Sequence, residues 1–257
     1  METQFQKLLF LVFITLISLE VIWVIITNKK SYNVKDSFAN FAIILIGRLL
    51  KPISVIWALF IFSVAEGFQL WQMPVNILTF IITFIIVEFV YYWYHRLSHE
   101  IPFLWSIHHT HHSSLWFNLT AAGRLNWIGK FTSVLFYLPL ILIGFNSNLV
   151  VLSLSVSLFY QFLLHTEFIG KITFLEGRFL NTPSAHRVHH GSNEKYLDKN
   201  YGGMLIIFDR IFNTYVPETE PVKYGVTTGF ISHNPFVIVF KPVVEYVKKA
   251  VMNKKMK

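Results

Sequence analysis

Eleven histidines occur in the chain, and nine of them fall into short clusters with helical spacing. They are His95 and His99 in HRLSH, His108, His111 and His112 in HHTHH, His165 in QFLLH, and His186, His189 and His190 in HRVHH. An α-helix repeats every ~3.6 residues, so side chains three or four apart lie near one face and can aim at one place. Separate stretches of backbone can therefore offer imidazole nitrogens to a common centre. One tetrahedral zinc ion uses about four ligands, so this supply suits two metal ions sharing a cage. Shared by two six-coordinate ions, the rings leave about three positions vacant, which is what binding of dioxygen needs. Iron, zinc, copper and nickel all accept nitrogen ligands. Redox-inert zinc would support hydrolysis, whereas iron can activate oxygen to cut a C–H bond.

The inventory narrows the chemistry further. The chain has no cysteine, which excludes thiolate metal sites, iron–sulfur clusters, disulfides and thiol catalysis. Charged residues make up 14% and hydrophobic ones 54%, against roughly 25% and 45–50% in ordinary soluble proteins. This is the composition of an integral membrane protein. The formal net charge of +8 does not signal nucleic acid, because the basic residues flank apolar segments and form no stripe interleaved with exposed aromatics.

The elements that must position the histidines are all helical. Apolar runs at 5–27, 38–65 and 75–94 read as membrane spans, the second interrupted by Arg48, Lys51 and Pro52 and so kinked or divided. The first has neither a compact basic start nor a small-residue cleavage site, so a retained helix is expected over a signal peptide. Residues 131–145 and 149–164 form a helical hairpin (131–164) around Gly144-Phe145-Asn146-Ser147-Asn148. Residues 166–257 form a polar cap and tail, in which Met204–Phe212 and Phe236–Val251 are expected as surface helices. The predicted fold is an all-α, polytopic membrane helical bundle in one domain, with about three spans, the hairpin and a histidine-rich cytoplasmic cap. Counting crossings brings every histidine cluster to the side of Lys29, Lys30 and the tail lysines Lys248, Lys249, Lys254, Lys255 and Lys257. The positive-inside tendency makes that side cytoplasmic. The bacterial inner membrane is the favoured location, with the endoplasmic reticulum as the other.

Other residues divide between chemistry and structure. Glu88 stands almost in line with His95 down the third span, where an acid is costly unless it is functional or paired with Arg48 or Lys51. Gln161, one turn before His165, could orient a metal-bound water or pack inside the bundle. Asp198, Asn200 and Tyr201 follow the last cluster closely enough to anchor imidazole N–H groups, or serve to form a turn. His109 points about 100° away from His108 and is left out of the cage. His233 reads as an ordinary loop residue.

The motifs HRLSH, HHTHHSS and NTPSAHRVHHGSN resemble the fatty acid hydroxylase and sterol desaturase superfamily of membrane di-iron oxygenases. Within it, HRLSHEIPFLWSIHHTHHSS, NLTAAGR, YQFLLHTE and DKNYGGMLIIFDRIFNTYVPETEPVKYG are most similar to the ether-lipid branch, the alkylglycerol monooxygenases. The likeness runs over roughly residues 38–235, with the hydroxylase-like region at about 85–215. It implies two Fe2+ ions and O2 bound through His95, His99, His108, His111, His112, His186, His189 and His190, with His165 completing the set. A histidine often stands in fatty acid hydroxylases where this chain has Gln161, so ligation from that position does not carry over. Members of the ether-lipid branch hydroxylate the carbon beside the ether oxygen using O2 and tetrahydrobiopterin, and they are considerably longer proteins. The implied substrate is a membrane lipid, and the implied reductant is a reduced pterin or an electron-donor protein.

The expectation is therefore an O2-dependent non-haem di-iron monooxygenase acting on a lipid C–H bond, with an alkylglycerol ether lipid as favoured substrate. One alternative uses the same centre for hydroxylation or desaturation of sterols, sphingolipids or fatty acyl chains. Another is a noncatalytic membrane metal-binding or transport protein, in which polar residues should line a path through the spans.

Overall fold

The computed structural model describes residues 2–255, so Lys257 of the lysine-rich tail lies outside the described residues. The described residues form eleven α-helices: α1 (Glu2–Thr27), α2 (Val34–Leu49), α3 (Lys51–Glu66), α4 (Ile77–Glu100), α5 (Pro102–His112), α6 (Gly129–Phe136), α7 (Leu138–Ile143), α8 (Ser147–Leu164), α9 (Pro183–His189), α10 (Ile207–Ile211) and α11 (Pro235–Lys255). Among the described residues the only strand-like pairing is an isolated antiparallel bridge between Leu180 and Leu205. The fold is an all-helical membrane bundle. Three stretches, Phe10–Thr27, Ile77–Glu100 and Ser147–Leu164, are long and apolar enough to cross a bilayer, and α2 with α3, bent by 51°, can make a fourth crossing.

Local chemistry sets the helix ends. The Asn76 side chain accepts from the Thr79 amide while the Thr79 hydroxyl takes the Asn76 amide, a reciprocal cap that opens α4. Asn33, Asn146 and Thr182 cap α2, α8 and α9 one way only, their side chains accepting from first-turn amides. Proline sits in the first turn of α3, α5, α7 and α9, where its missing N–H costs no helical hydrogen bond.

The bundle has two distinct ends. At one, the 67–76 connection runs along the hairpin turn: the Leu70 amide donates to the Leu142 carbonyl at 2.9 Å and that of Met73 to Gly144 at 3.0 Å. Gly144 takes φ of 125°, and a Cβ there would stand 2.4 Å from the Trp71 carbonyl oxygen, so only glycine fits. A core of Phe62, Val87, Tyr137, Ile141 and Val150 fills the interior next to it. At the other end the C-termini of α4 and α8 meet α5, α9 and the loops between residues 113 and 126 and beyond 165. All four histidine clusters lie here.

The region 204–212 departs from the expected surface helix. Residues 204–206 run antiparallel to 179–181, through Asn181 N to Met204 O at 2.8 Å and Ile206 N to Phe179 O at 2.9 Å, and only Ile207–Ile211 is helical. Its apolar side chains pack inward, Phe208 and Phe212 against Tyr92 of α4, because the cap needs a core of its own. The tail is helical, and it buries Ile238 and Val239 beside Ala39, Ile43 and Trp127.

Candidate metal centre

Each histidine cluster is carried by an element whose placement has a visible cause. α5 is tied to α2 through the loop residue Arg124, which forms a buried ion pair with Asp36 of α2 at 2.9 Å. The same guanidinium reaches the Asn40 side-chain oxygen at 2.8 Å, the Thr110 carbonyl at 3.2 Å and the Ser113 hydroxyl at 3.1 Å. α9 is held by Arg187, which donates to the carbonyls of Thr166 and Ile169 and pairs with Glu218. α4 and α8 bring His95, His99 and His165 to the same place from within the bundle.

The nine imidazoles gather into two adjoining groups. His95, His99, His108, His112 and His189 form one, and His111, His165, His186 and His190 the other, with the ligating atoms of each group all within 4.8 Å of one another. The groups touch where His112 stacks on His190, 4.4 Å between ring centroids. Helical geometry explains the division. Every pair at i and i+4 (His95/His99, His108/His112, His186/His190) stays in one group. The third member of each HxxHH cluster, His111 or His189, is rotated ~100° from its neighbour and enters the other group. The two triplets thus interlock the two groups, a partition that the spacing alone did not reveal.

The nitrogens are arranged for metal. Nε2 of His108 lies 3.1 Å from Nε2 of both His95 and His112, and Nε2 of His165 lies 3.2 Å from that of His111 and 3.0 Å from that of His186. Two nitrogens bound to one ion at ~2.1 Å stand ~3.0–3.4 Å apart, so these spacings match a shared ion. Protons alone cannot satisfy them. Nδ1 of His95 faces the Tyr201 carbonyl at 2.7 Å, that of His165 the Gln161 carbonyl at 2.8 Å and that of His189 the Lys199 carbonyl at 3.0 Å. A carbonyl only accepts, so each ring must carry its proton at Nδ1 and present a bare Nε2 inward. Nε2 of His99, His189 and His190 has no hydrogen-bond partner. Buried nitrogens left in that state are costly unless a cation takes their lone pairs.

Electrostatics agree with that arrangement. Burial first, and then neighbouring imidazoles, push His108, His111, His112, His186, His189 and His190 well below the usual histidine value. Burial brings His165 down to about 4. The rings are thus neutral at physiological pH, the form that binds metal.

The flanking residues play roles different from several of those expected. Asp198 reaches Nδ1 of His99 at 3.4 Å. Tyr201 and Gln161 act through their backbone carbonyls, while the Gln161 side chain donates to Ser157 at 3.0 Å. Asn200 touches no imidazole: its amide donates to the Ala185 and Val216 carbonyls and accepts from the Val216 amide, holding the loop. Glu88 accepts from the Leu205 amide at 2.7 Å and forms no ion pair with Arg48 or Lys51 among the described residues. His109 lies outside both groups, beside Trp105 and Phe230. Three contributors were not anticipated: Trp105, whose ring is 5.2 Å from His99; Phe117, stacked on His165; and Asp209, under the Tyr201 loop. Only Asp209, an acid inside an apolar run, left a sign in the sequence.

A cavity of about 230 Å³ opens beside the rings, its wall including His99, Trp105, His112, His189, His190 and Thr227. Its lining takes in rings of both groups together with cap residues 191–192, 197–198 and 225–227.

The family model for fatty acid hydroxylases matches residues 80–214, a span holding all nine clustered histidines. The chain belongs to the fatty acid hydroxylase family. Among curated relatives of this fatty acid hydroxylase family member, alkylglycerol monooxygenase from Xenopus tropicalis is 45% identical over 168 residues, 65% of this chain and 36% of that protein. Its Homo sapiens counterpart is 37% identical over 236 residues, 90% of this chain and 52% of that protein. Ornithine lipid hydroxylase OlsE from Rhizobium tropici is 30% identical over 192 residues, 73% of this chain and 56% of that protein. The chain thus spans between about a third and somewhat over half of the length of these relatives. No solved structure matches it significantly.

Proposed function

We propose that the nine imidazoles hold two iron ions and that the protein is an O2-dependent monooxygenase hydroxylating a lipid C–H bond, with an alkylglycerol ether as substrate. The observation that carries this reading is the pair of touching histidine groups, five and four rings, in which Nε2 of His99, His189 and His190 has no hydrogen-bond partner. Likeness to the alkylglycerol monooxygenases supports the choice of substrate. Two irons in this place would supply oxygen activation, one oxygen atom entering the lipid and the other leaving as water at the expense of two electrons and two protons.

The chain's own residues do the rest. The carbonyls of Tyr201, Gln161 and Lys199 hold the Nδ1 protons of His95, His165 and His189, fixing those rings with Nε2 inward. Five ligands in one group and four in the other leave more of the coordination sphere open at the second. Bare apolar faces such as Ile81, Ile85 and Phe89 on α4 lie toward lipid and suit a substrate whose chain stays in the bilayer. Hydroxylation beside the ether oxygen gives a hemiacetal that separates into aldehyde and glycerol derivative. Tetrahydrobiopterin, or another small donor, would reach the rings through the cap-side cavity, where Trp105 offers a flat face. The lysines flanking the histidine end support a cytoplasmic orientation, in a bacterial inner membrane or the endoplasmic reticulum.

The test is turnover by purified protein in lipid nanodiscs given an alkylglycerol, O2 and either tetrahydrobiopterin or another reductant. Oxygen-dependent release of fatty aldehyde supports the assignment. A second reading, hydroxylation of another polar lipid, draws on the likeness to the ornithine lipid hydroxylase. It predicts a hydroxylated lipid without aldehyde in the same assay.

A further inference from the structure

α1 lies at the edge of the bundle, touching it through side chains such as Phe13 and Trp23, and only 6% of its membrane-length window is buried. Within that window, Phe10–Thr27, the one buried residue is its one acid, Glu20, at 3% exposure. An apolar helix that hides its carboxylate and leaves its leucines and isoleucines outside reverses the usual economy of a membrane protein, where such an acid marks function.

The carboxylate joins three separate segments. One oxygen accepts from the Tyr32 hydroxyl at 2.5 Å and from the Leu119 amide at 2.9 Å, and the other accepts from the Thr166 hydroxyl. Thr166 directly follows His165, and its carbonyl receives the guanidinium of Arg187, the neighbour of His186. Leu119 lies two residues beyond Phe117, whose ring stacks on His165 with 24° between planes and stands 5.1 Å from His190. The ties through Thr166 and Leu119 lead to the four-histidine group. None of the carboxylate's three partners belongs to the five-histidine group, and Glu20 itself lies outside residues 80–214 of the family match.

We propose that Glu20 is a positioning residue for the four-histidine group, so that the N-terminal helix is a working part of the metal centre as well as a membrane span. The proposal rests on the reading of that group as a metal site. An ionised carboxylate accepts only, and its two oxygens match three converging donors. A glutamine in its place keeps an acceptor for Tyr32 and Leu119 only by turning its N–H toward the Thr166 hydroxyl, which reverses the hydrogen bond to the residue beside His165.

The experiment is anaerobic titration of purified, metal-free protein with Fe2+, reading iron bound per chain and the affinity of each step, for the natural chain and for Glu20→Ala, Glu20→Gln and the lipid-facing control Leu19→Ala. The expected result is two tight equivalents for the natural chain and Leu19→Ala. In the Glu20 variants one equivalent remains tight and the other weakens about 10- to 100-fold, the usual effect of losing a group that orients a ligand. If Glu20→Ala does not fold, Glu20→Gln, of equal volume, carries the test. Two equivalents of unchanged affinity in a folded Glu20 variant would overturn the positioning role alone. A natural chain that takes up fewer than two irons would overturn the metal reading and this proposal with it.

Discussion

Nδ1 of His95 lies 2.7 Å from the backbone carbonyl oxygen of Tyr201, so a ring at the end of a membrane helix is oriented by a loop of the cap. The same loop holds two more members of the five-histidine group, His99 through the Asp198 carboxylate and His189 through the Lys199 carbonyl. To present acceptors in this order the backbone turns left-handed at Asp198 and at Asn200, both with φ of 57°. Asparagine and aspartate tolerate that region better than other side chains, which accounts for their places here.

Asp209 is the support beneath that loop. Its carboxylate accepts from the amides of Tyr201 and Gly202 and from the Thr214 hydroxyl, each at 2.7 Å. Removing it strands buried donors at about 1–3 kcal/mol each. Asp209→Ala is expected to lower the melting temperature and to weaken iron binding at the five-histidine group, while the four-histidine group keeps its iron. Iron titration with calorimetric melting checks both, and unchanged binding would separate the loop from ligand orientation.

The pair Asp36 and Arg124 offers a test of how α5 is placed. Breaking one partner of a buried ion pair costs about 3–5 kcal/mol, because the other charge stays buried alone. Asp36→Ala and Arg124→Ala should each destabilise by that order, and the double variant by clearly less than their sum. Additive losses in denaturant unfolding would show that the two residues do not act through each other.

Acid should unfold the metal-free protein. The rings of His108, His111, His112, His186, His189 and His190 titrate well below 6.5 in the folded state and that of His165 at about 4, whereas in the unfolded chain all return to about 6.5. Below pH 6.5 the unfolded chain therefore binds protons that the folded one does not. Stability is fully present above that pH and is lost as pH falls, by up to about 1.4 kcal/mol per ring and pH unit. Melting temperatures at pH 7.5 and 5.5 read this directly; a flat profile would contradict the burial of neutral rings.

Access through the cap can be blocked without touching a ligand. Thr227 lies on the exposed rim of the cavity that reaches His99 and His189. Thr227→Trp should raise the KM for a small reductant several-fold and leave iron content at the natural level. If turnover is unaffected at every reductant concentration, electrons enter by another route.

How much of this was readable in the sequence differs by element. Long apolar runs show a helical membrane protein directly, since their length and lack of charge admit few other structures. The convergence of HRLSH, HHTHH, QFLLH and HRVHH was also legible, because helical spacing sets which side chains share a face. The division into five and four was hidden, since His111 and His189 cross to opposite groups according to how α5 and α9 are set against each other. Likewise the contacts of Asp209, Glu20 and Phe117 join residues far apart along the chain, and no local pattern announces them. Asn200 shows the converse. Its position beside the last cluster suits either an imidazole partner or a turn, and its amide bonds the backbone of residues 185 and 216, so it serves the loop.

The central claim is that two neighbouring sets of imidazoles hold two irons. Iron per chain after anaerobic reconstitution, measured by elemental mass spectrometry together with Mössbauer spectra, tests it most directly. Two irons per chain in distinct nitrogen-rich environments are expected, with His189→Ala and His186→Ala each depleting a different one. One iron or none in the folded, reconstituted protein would contradict it.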